Sequence, residues 1–226
     1  MKYRGANSAV APEAWPFALP AAAAALLATI LRLPWLALAI TACFGSILFF
    51  FRNPRRATPL APNLVIAPAD GTVVAAGIAP HPEFEDGQAL RVAIFMSLFN
   101  VHMNWAPFDG ELTDARHIPG KFINAMHDKA AEENERVLLT LRTPYGALIG
   151  VKLVAGLVAR RIVCPLEPGD KVARGEKTGL IRFGSRVEVW LPASSRLCVA
   201  PGMKTRGGET VIAHMAGIND HAGDGA

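Results

Sequence analysis

Three short segments of the sequence carry side chains that could do chemistry. Ser185 lies in "RFGSRVEV", His102 in "NVHMNW" and Asp70 in "PADGTV". A serine hydroxyl can act as a nucleophile, a histidine exchanges protons near neutral pH, and an aspartate can orient either group. Each also has an ordinary structural interpretation, because Asp-Gly forms tight turns and a histidine among apolar neighbours is usually a core residue. The three residues together therefore matter more than any one of them.

The Gly184-Ser185 pair interrupts a run that otherwise favours a β-strand, "GLIRFGSRVEVWLP". Glycine weakens a strand interior because it adds backbone freedom and no packing. The pair is not a G-x-S-x-G nucleophile elbow, since Phe183 and Val187 occupy the glycine positions. A membrane-anchored serine hydrolase built from Ser185, His102 and Asp70 is thus only a weak interpretation.

Two apolar runs near the N-terminus predict a helical hairpin. Phe17–Leu31 and Trp35–Phe51 flank a break at Pro34, which should begin the second helix because proline suits a first helical turn. Basic residues lie at both ends: Lys2, Arg4, Arg52, Arg55 and Arg56. By the positive-inside tendency both ends are expected on the cytoplasmic side of a membrane. A signal peptide and a soluble helix pair are the alternatives, and a full double span stays open against a shallow hairpin.

From residue 57 onward the sequence predicts a β-rich body. Short β-branched runs alternate with Gly, Pro and Asp, which favours a sandwich or barrel over βα units, and only residues near 127–136 resemble a helix. We therefore predict an α+β, predominantly β fold: a barrel-sandwich-like β domain preceded by the hydrophobic hairpin. The predicted domains are 1–56 for the hairpin with its basic flank, 57–215 for the catalytic body and 216–226 for a disordered tail.

An internal sequence repeat supports this β prediction. "PGDKVARGE" (168–176) and "PGMKTRGGE" (201–209) share a Pro-Gly turn, a short strand and a second turn at glycine. Such patterns occur in biotinyl- and lipoyl-type modules, so a membrane-tethered carrier or binding module is a further hypothesis. Its usual lysine between two methionines is incomplete, because Thr205 follows Met203-Lys204.

Composition narrows the class of partner. The formal net charge of +4 and pI of about 9.2 favour an anionic partner, but no basic run interleaved with aromatics indicates nucleic acid. An anionic membrane surface fits the uneven distribution of apolar residues better. The three cysteines form no CxxC pair, so neither a disulfide framework nor a structural metal site is expected.

Taken in order, these segments resemble the phosphatidylserine decarboxylase family in its short form. The resemblance extends from about residue 50 to residue 214 and rests on six motifs: "FFRNP", "PADGTV", "NVHMNWAP", "IPGKF", "ENER" and "RFGS". It implies that a proenzyme cuts itself between Gly184 and Ser185. Ser185 then becomes an N-terminal pyruvoyl group, the covalent cofactor of the 185–226 chain.

The resemblance also implies the reaction and its residues. The pyruvoyl carbonyl forms a Schiff base with the amine of phosphatidylserine and accepts electron density as CO₂ leaves, giving phosphatidylethanolamine. His102 corresponds to the family's proton donor, and Asp70 would orient or activate the Ser185 hydroxyl during self-cleavage. The expected partners are phosphatidylserine in an anionic membrane and the two cleavage chains themselves, with homo-oligomerisation left open, on the cytoplasmic face of the cell membrane.

One position departs from the family's longer members. They carry a second histidine three residues after the first, whereas this sequence has Trp105, which cannot act as a base. Either His102 serves both steps, or another group such as His127 contributes to maturation. Arg52, Arg55 and Arg56 are expected to hold the body against a negative lipid surface.

Overall fold

A computed structural model describes residues 3, 5, 7–127, 129–157, 161–182 and 184–218, and they form two compact units. One unit is the N-terminal hairpin, Arg4–Arg55, and the other is the β-rich body from Arg56 onward together with the first residues of the chain. Lys2, Arg4, Phe183 and most of the predicted tail, residues 219–226, lie outside the described residues. The α+β, predominantly β prediction is confirmed.

The hairpin consists of helices α1 (Trp15–Ile30) and α2 (Pro34–Phe50). Pro34 begins α2 as predicted, and the turn between the helices places Arg32 at φ 56°. Both helices are apolar on all sides and largely exposed, with Trp35 82% exposed, which suits a lipid environment better than water. Including a preceding 3₁₀ turn, Pro12–Ile30 is long and apolar enough to cross a membrane, while α2 is shorter.

The ends of the hairpin are held together by hydrogen bonds. The amide of Ala11 donates to the carbonyl of Phe51 at 2.8 Å, and the side-chain amide of buried Asn53 donates to the carbonyls of Gly5 and Ser8, both at 2.7 Å. Asn53 belongs to the "FRNP" segment that follows the second apolar run. The bond from Ala11 satisfies a carbonyl that the C-terminal end of α2 leaves open.

Among the described residues, the strands of the body form an eight-stranded sheet curled as a half-barrel and two smaller sheets. The large sheet has the order β13-β2-β3-β11-β7-β6-β5-β9 and the smaller ones β1-β14-β12 and β4-β10-β8, with antiparallel pairing throughout. The strand bounds are β1 Leu64–Ile66, β2 Gly71–Pro80, β3 Gln88–Met96, β4 Met103–Trp105, β5 Gly110–Ile118, β6 Arg136–Arg142, β7 Leu148–Ala155, β8 Ile162–Val163, β9 Lys171–Val172, β10 Lys177–Ile181, β11 Ser185–Pro192, β12 Arg196–Leu197, β13 Lys204–Thr205 and β14 Val211–His214. A single turn of helix, α3 (Ala130–Glu133), lies in the region predicted to be helical.

The two copies of the internal repeat, residues 168–176 and 201–209, form equivalent turn-strand-turn units. Gly169 and Gly202 follow proline in the first turns with φ of 93° and 91°, and β9 and β13 follow them. The two strands occupy opposite edges of the eight-stranded sheet. Each copy of the repeat therefore forms the turn, short strand and second turn that the sequence predicted; the edge position of both strands comes from the structure.

Strand β11 separates two different environments. Val187, Val189 and Leu191 alternate onto its core face, while Glu188 lies fully buried on the other face among cations. The carboxylate of Glu188 contacts Arg186 at 2.9 Å and Lys152 at 3.6 Å, and Arg91 donates a hydrogen bond to it. Burial raises the pKa of Glu188, but Lys152, Arg91 and Arg186 outweigh burial and hold that pKa below its ordinary value.

We predict that Glu188→Gln destabilises the body, because three cations lose their buried counter-charge. The expected loss is about 3 kcal/mol of unfolding free energy near neutral pH. Since the folded pKa is lowered, Glu188 stabilises the fold above its ordinary value of 4.5 and that contribution is lost as pH falls from there toward the folded pKa. Denaturant unfolding across this pH range should show a smaller pH dependence for Glu188→Gln than for the parent. Exposed Glu111→Gln is the matched control, and parallel curves for the parent and Glu188→Gln would contradict the prediction.

Candidate active site

The Gly184-Ser185 peptide lies where three strands of the large sheet end or begin. Ser185 is the first residue of β11 and pairs with Met96, the last residue of β3, and with Ala155, the last residue of β7. The pair therefore does not interrupt one strand: β10 ends at Ile181 in a different sheet, and β11 begins at Ser185. This corrects the single interrupted strand expected from the sequence, because the chain changes sheets at this point.

Gly184 adopts a conformation that favours glycine. Its φ is +69°, in the left-handed region that is costly for residues with a side chain. Ser185, which follows it, is fully buried, and its hydroxyl donates to the sulfur of Met96 at 3.1 Å. A thioether is a weak acceptor, so this contact restrains the hydroxyl only weakly.

His102 lies next to the Gly184-Ser185 pair, against the peptide bond that precedes it. It is buried in the loop between β3 and β4, and its Nε2 accepts a hydrogen bond from the amide of Gly184 at 3.2 Å. Its Nδ1 is 3.0 Å from the carbonyl oxygen of Asn100. Because a carbonyl only accepts and an amide N–H only donates, the two contacts together assign the proton to Nδ1 and leave Nε2 unprotonated.

Gly156 makes room for the carbonyl group of Gly184. A Cβ built on Gly156 would overlap the Gly184 carbonyl oxygen and lie 3.0 Å from its carbonyl carbon. Gly156 lies outside the positive-φ region, so the requirement for glycine there is steric. Sequence analysis missed this residue, and "VAGLV" contains no local signal that could have identified it.

Asp70 is engaged elsewhere. Its carboxylate accepts two hydrogen bonds from Arg56, at 3.0 and 2.8 Å, and one from the amide of Gly207 at 2.7 Å. No hydrogen bond among the described residues joins Asp70 to Ser185 or His102. The role predicted for Asp70 in orienting the Ser185 hydroxyl stays a prediction.

The expectation for Arg56 was wrong. Its side chain is only 5% exposed and pairs with both Asp70 and Glu209, so it is part of the folded body and does not face a lipid surface. Arg55 is exposed, and Arg52 lies over the ring of Phe49 at 3.9 Å. A basic residue next to an apolar helix need not contact lipid when carboxylates of the folded body are within reach of its guanidinium group.

Trp105 shares this cluster with Arg56. The guanidinium lies 5.4 Å from the centre of the indole ring. The buried ring packs against Gly207 and Gly208, where a Cβ on Gly207 would overlap it. The position at which longer family members carry a second histidine is therefore close to Asp70, and here Arg56 supplies the partner of that carboxylate.

His127 lies in the loop before α3 and is exposed. Two residues earlier, the Cβ of Ala125 lies 3.4 Å from the position that a Cβ on Gly156 would occupy, so Ala125 is close to Gly156. The loop therefore reaches the site, but the structure does not bring the imidazole of His127 into a hydrogen bond with any other described residue. Within the described part of the chain, no three His, Cys, Asp or Glu side chains cluster so as to hold a metal ion.

Comparison with known proteins identifies the family. The sequence model described as phosphatidylserine decarboxylase matches residues 45–213. The chain belongs to the phosphatidylserine decarboxylase family. The match includes Asp70, His102 and the Gly184-Ser185 pair.

Full-length relatives agree with the family match. A phosphatidylserine decarboxylase proenzyme of Saccharopolyspora erythraea is 46% identical over 213 residues, covering 91% of this chain and 88% of the relative. A protein of the same name from Geobacter metallireducens is 43% identical over 215 residues, covering 92% and 98%. One from Symbiobacterium thermophilum is 44% identical over 207 residues, covering 91% and 95%. The similarity thus extends over most of each protein.

Proposed function

We propose that this chain is a pyruvoyl-dependent phosphatidylserine decarboxylase that matures by cutting itself between Gly184 and Ser185. Its family relatives are named as decarboxylase proenzymes. The observation that carries the proposal is the geometry at Gly184: its left-handed conformation, His102 on its own N–H, and Gly156 beside the carbonyl group that it contributes to the Gly184-Ser185 peptide bond.

Self-cleavage requires the Ser185 hydroxyl to reach the carbonyl carbon of Gly184. Oγ, Cβ, Cα and N of Ser185 and this carbonyl carbon close a five-membered ring, so the attack is a rearrangement within one residue and the peptide bond before it. Attack moves the acyl group from nitrogen to oxygen and gives an ester while the free amine takes up a proton. His102 Nε2 accepts from the N–H of Gly184, one peptide bond before the bond that is cleaved. We assign proton transfer in this step to that nitrogen, once its hydrogen bond to Gly184 is released.

Elimination then completes the cleavage. Loss of the Ser185 Cα proton breaks the Cβ–Oγ bond, which releases Gly184 as a free carboxylate and leaves dehydroalanine at position 185. Addition of water and loss of ammonia convert this residue into an N-terminal pyruvoyl group. When formed, that group supplies an electrophilic carbonyl that binds a primary amine and accepts electron density as CO₂ departs.

The fold suits a pyruvoyl group at this position. Ser185 is small and fully buried, and β11 is hydrogen-bonded to β3 on one side and β7 on the other. Strands β13 and β14 of the same fragment pair with β2 and β1. The 185–226 chain would therefore remain in the sheet after cleavage, as the heterodimer of the two cleavage products requires.

His102 is also proposed to deliver the proton that replaces CO₂ on the substrate. Its buried ring is oriented by the Asn100 carbonyl and lies against the residue that precedes Ser185. The proposed substrate, phosphatidylserine, lies in a membrane, and the apolar hairpin with its cytoplasmic basic flank would associate the chain with that surface. Phosphatidylethanolamine and CO₂ are the products.

We predict that His102→Gln slows self-cleavage and that any matured fraction loses decarboxylation by about 100-fold or more, because general acid–base groups contribute factors of this size. Self-cleavage is followed by denaturing electrophoresis and decarboxylation by CO₂ release. His127→Gln is the matched comparison, and we expect it to retain both activities. Slow maturation in His127→Gln with normal maturation in His102→Gln would reverse the assignment.

Chemical trapping tests the reaction class. Sodium borohydride added with phosphatidylserine should fix the lipid amine covalently to the 185–226 fragment and inactivate the enzyme. A serine hydrolase would instead react with a serine-directed phosphonate at an intact Ser185 and would not retain the lipid. Phosphonate labelling without lipid trapping, in material that releases CO₂, would overturn the proposal.

A further inference from the structure

Exposed apolar side chains cluster around the Gly184-Ser185 peptide. Leu98 and Phe99 follow β3, Met126 lies in the loop before α3, and Leu157 follows β7. Their exposed fractions are 47%, 79%, 57% and 66%. Exposed apolar residues are ordinary when they are scattered singly, whereas a cluster indicates an interaction surface.

The three loops meet at Gly184. The side chain of Leu98 comes within 4.0 Å of the place where a Cβ on Gly184 would lie. Leu157 follows Gly156, which packs on the Gly184 carbonyl group, and Met126 follows Ala125, which approaches Gly156. Each of the four apolar side chains therefore belongs to, or directly adjoins, a residue at the candidate active site.

Two exposed cations lie in segments next to these loops. Arg161 is exposed, and its carbonyl accepts a hydrogen bond from the amide of Arg182, two residues before Gly184. Lys129, exposed in the loop that carries Met126, adds a second cation. Apolar side chains with cations at their edge match the acyl region and the anionic headgroups of a lipid bilayer.

We propose that Leu98, Phe99, Met126 and Leu157 form a membrane-docking surface that enters the headgroup and upper acyl region of an anionic bilayer. The inference rests on the proposed function, because the substrate's amine must reach the buried Ser185 position while its acyl chains stay in an apolar phase. A surface that surrounds the site and contacts the bilayer lets the headgroup enter without extraction of the whole lipid. The catalytic body thus makes a membrane contact of its own, in addition to the hairpin.

Spin-label depth measurements test this surface in the full chain. In a background with Cys43, Cys164 and Cys198 replaced by Ala, single labels are placed by Phe99→Cys or Leu157→Cys. Tyr145→Cys, 58% exposed in the β6–β7 turn, is the control. Since the hairpin already anchors the chain, the readout is label depth in phosphatidylcholine/phosphatidylglycerol vesicles. We expect labels at 99 and 157 to gain oxygen accessibility and lose accessibility to a water-soluble nickel chelate, and the label at 145 to stay aqueous.

Two results would overturn the proposal. Labels at 99 and 157 as aqueous as the label at 145 would show that the surface does not enter lipid. Immobilisation of these labels without vesicles, in proportion to protein concentration, would show that a second copy of the chain covers it.

A functional comparison separates this inference from the proposed function. The double substitution Phe99→Ser with Leu157→Ser should lower the decarboxylation rate on vesicle phosphatidylserine by about tenfold or more, from the lost burial of two large apolar groups. Tyr145→Ser should not. Normal self-cleavage shows that each variant folds. A parent chain that releases no CO₂ fails the proposed function, whereas an active parent with aqueous labels fails only the docking surface.

Discussion

Ser185→Ala is expected to remain a single chain of 226 residues that releases no CO₂ from phosphatidylserine. Alanine lacks the hydroxyl oxygen that attacks the Gly184 carbonyl carbon through a five-membered ring. The elimination of this same oxygen leads to the cofactor. Both losses should be complete, because no neighbouring hydroxyl can substitute for a group that must lie in the chain itself. Denaturing electrophoresis and a CO₂-release assay measure them separately.

The control for Ser185→Ala is Ser194→Ala, an exposed serine in the turn after β11. It should mature and react like the parent. Thermal unfolding of Ser185→Ala should show a folded body, because the native hydroxyl's hydrogen bond within the described part of the chain is a weak one to the sulfur of Met96. A cleaved Ser185→Ala protein, or an uncut one with full activity, would contradict the proposed origin of the cofactor.

Gly156→Ala is expected to slow self-cleavage by about 100-fold or more, since displacing a reacting group by an ångström can cost that much. The new methyl group would overlap the carbonyl oxygen of Gly184 and move the carbon that the Ser185 hydroxyl must reach. The backbone of Gly156 is outside the positive-φ region, so alanine adds no backbone strain of its own. The fraction of uncut chain is followed over time after expression.

The matched control for Gly156→Ala is Gly45→Ala in α2, where an added Cβ meets no atom within 4 Å. It should mature normally. Thermal unfolding distinguishes a misplaced carbonyl group from a misfolded body, because the prediction requires a folded but uncut Gly156→Ala protein. Parent-like cleavage of Gly156→Ala would show that the Gly184 carbonyl group can move without consequence.

The sequence predicted the elements of the fold but not the order of its strands. The β-branched runs correspond to β3, β6, β7 and β11, and the Pro-Gly pairs of the internal repeat correspond to the turns before β9 and β13. Pairing of β11 between β3 and β7 joins residues that lie far apart in the chain. Alternation of apolar residues identifies a buried face but does not name the neighbouring strand, so the meeting of three strand ends at Ser185 could not be foreseen.

The residues of the candidate site were likewise predicted only in part from the sequence. Ser185 and His102 could be singled out because their types and motifs carry chemistry. Gly156 could not, since a steric requirement for glycine appears only when the carbonyl group of Gly184 is seen against it. The partner of Asp70 was also missed: Arg56 was assigned to the lipid surface by its place beside the hairpin, yet it forms a buried ion pair within the body.

Trp105 illustrates how one departure changes a neighbourhood. The indole ring fits because Gly207 and Gly208 leave space for it, and Arg56 lies over its face. Asp70 is held by Arg56 and Ser185 is bonded to Met96, whereas His102 Nε2 accepts from the N–H of Gly184, one peptide bond before the Gly184-Ser185 bond. This placement is the reason for proposing His102 for both maturation and decarboxylation.

Intact-mass measurement of the purified, active protein tests the central proposal most directly. We expect two chains, 1–184 and 185–226, with the smaller one lighter than its simple hydrolysis product by the mass of one ammonia, as a pyruvoyl terminus requires. A smaller chain that begins with an unmodified serine, or a single uncut chain that still releases CO₂ from phosphatidylserine, would contradict it.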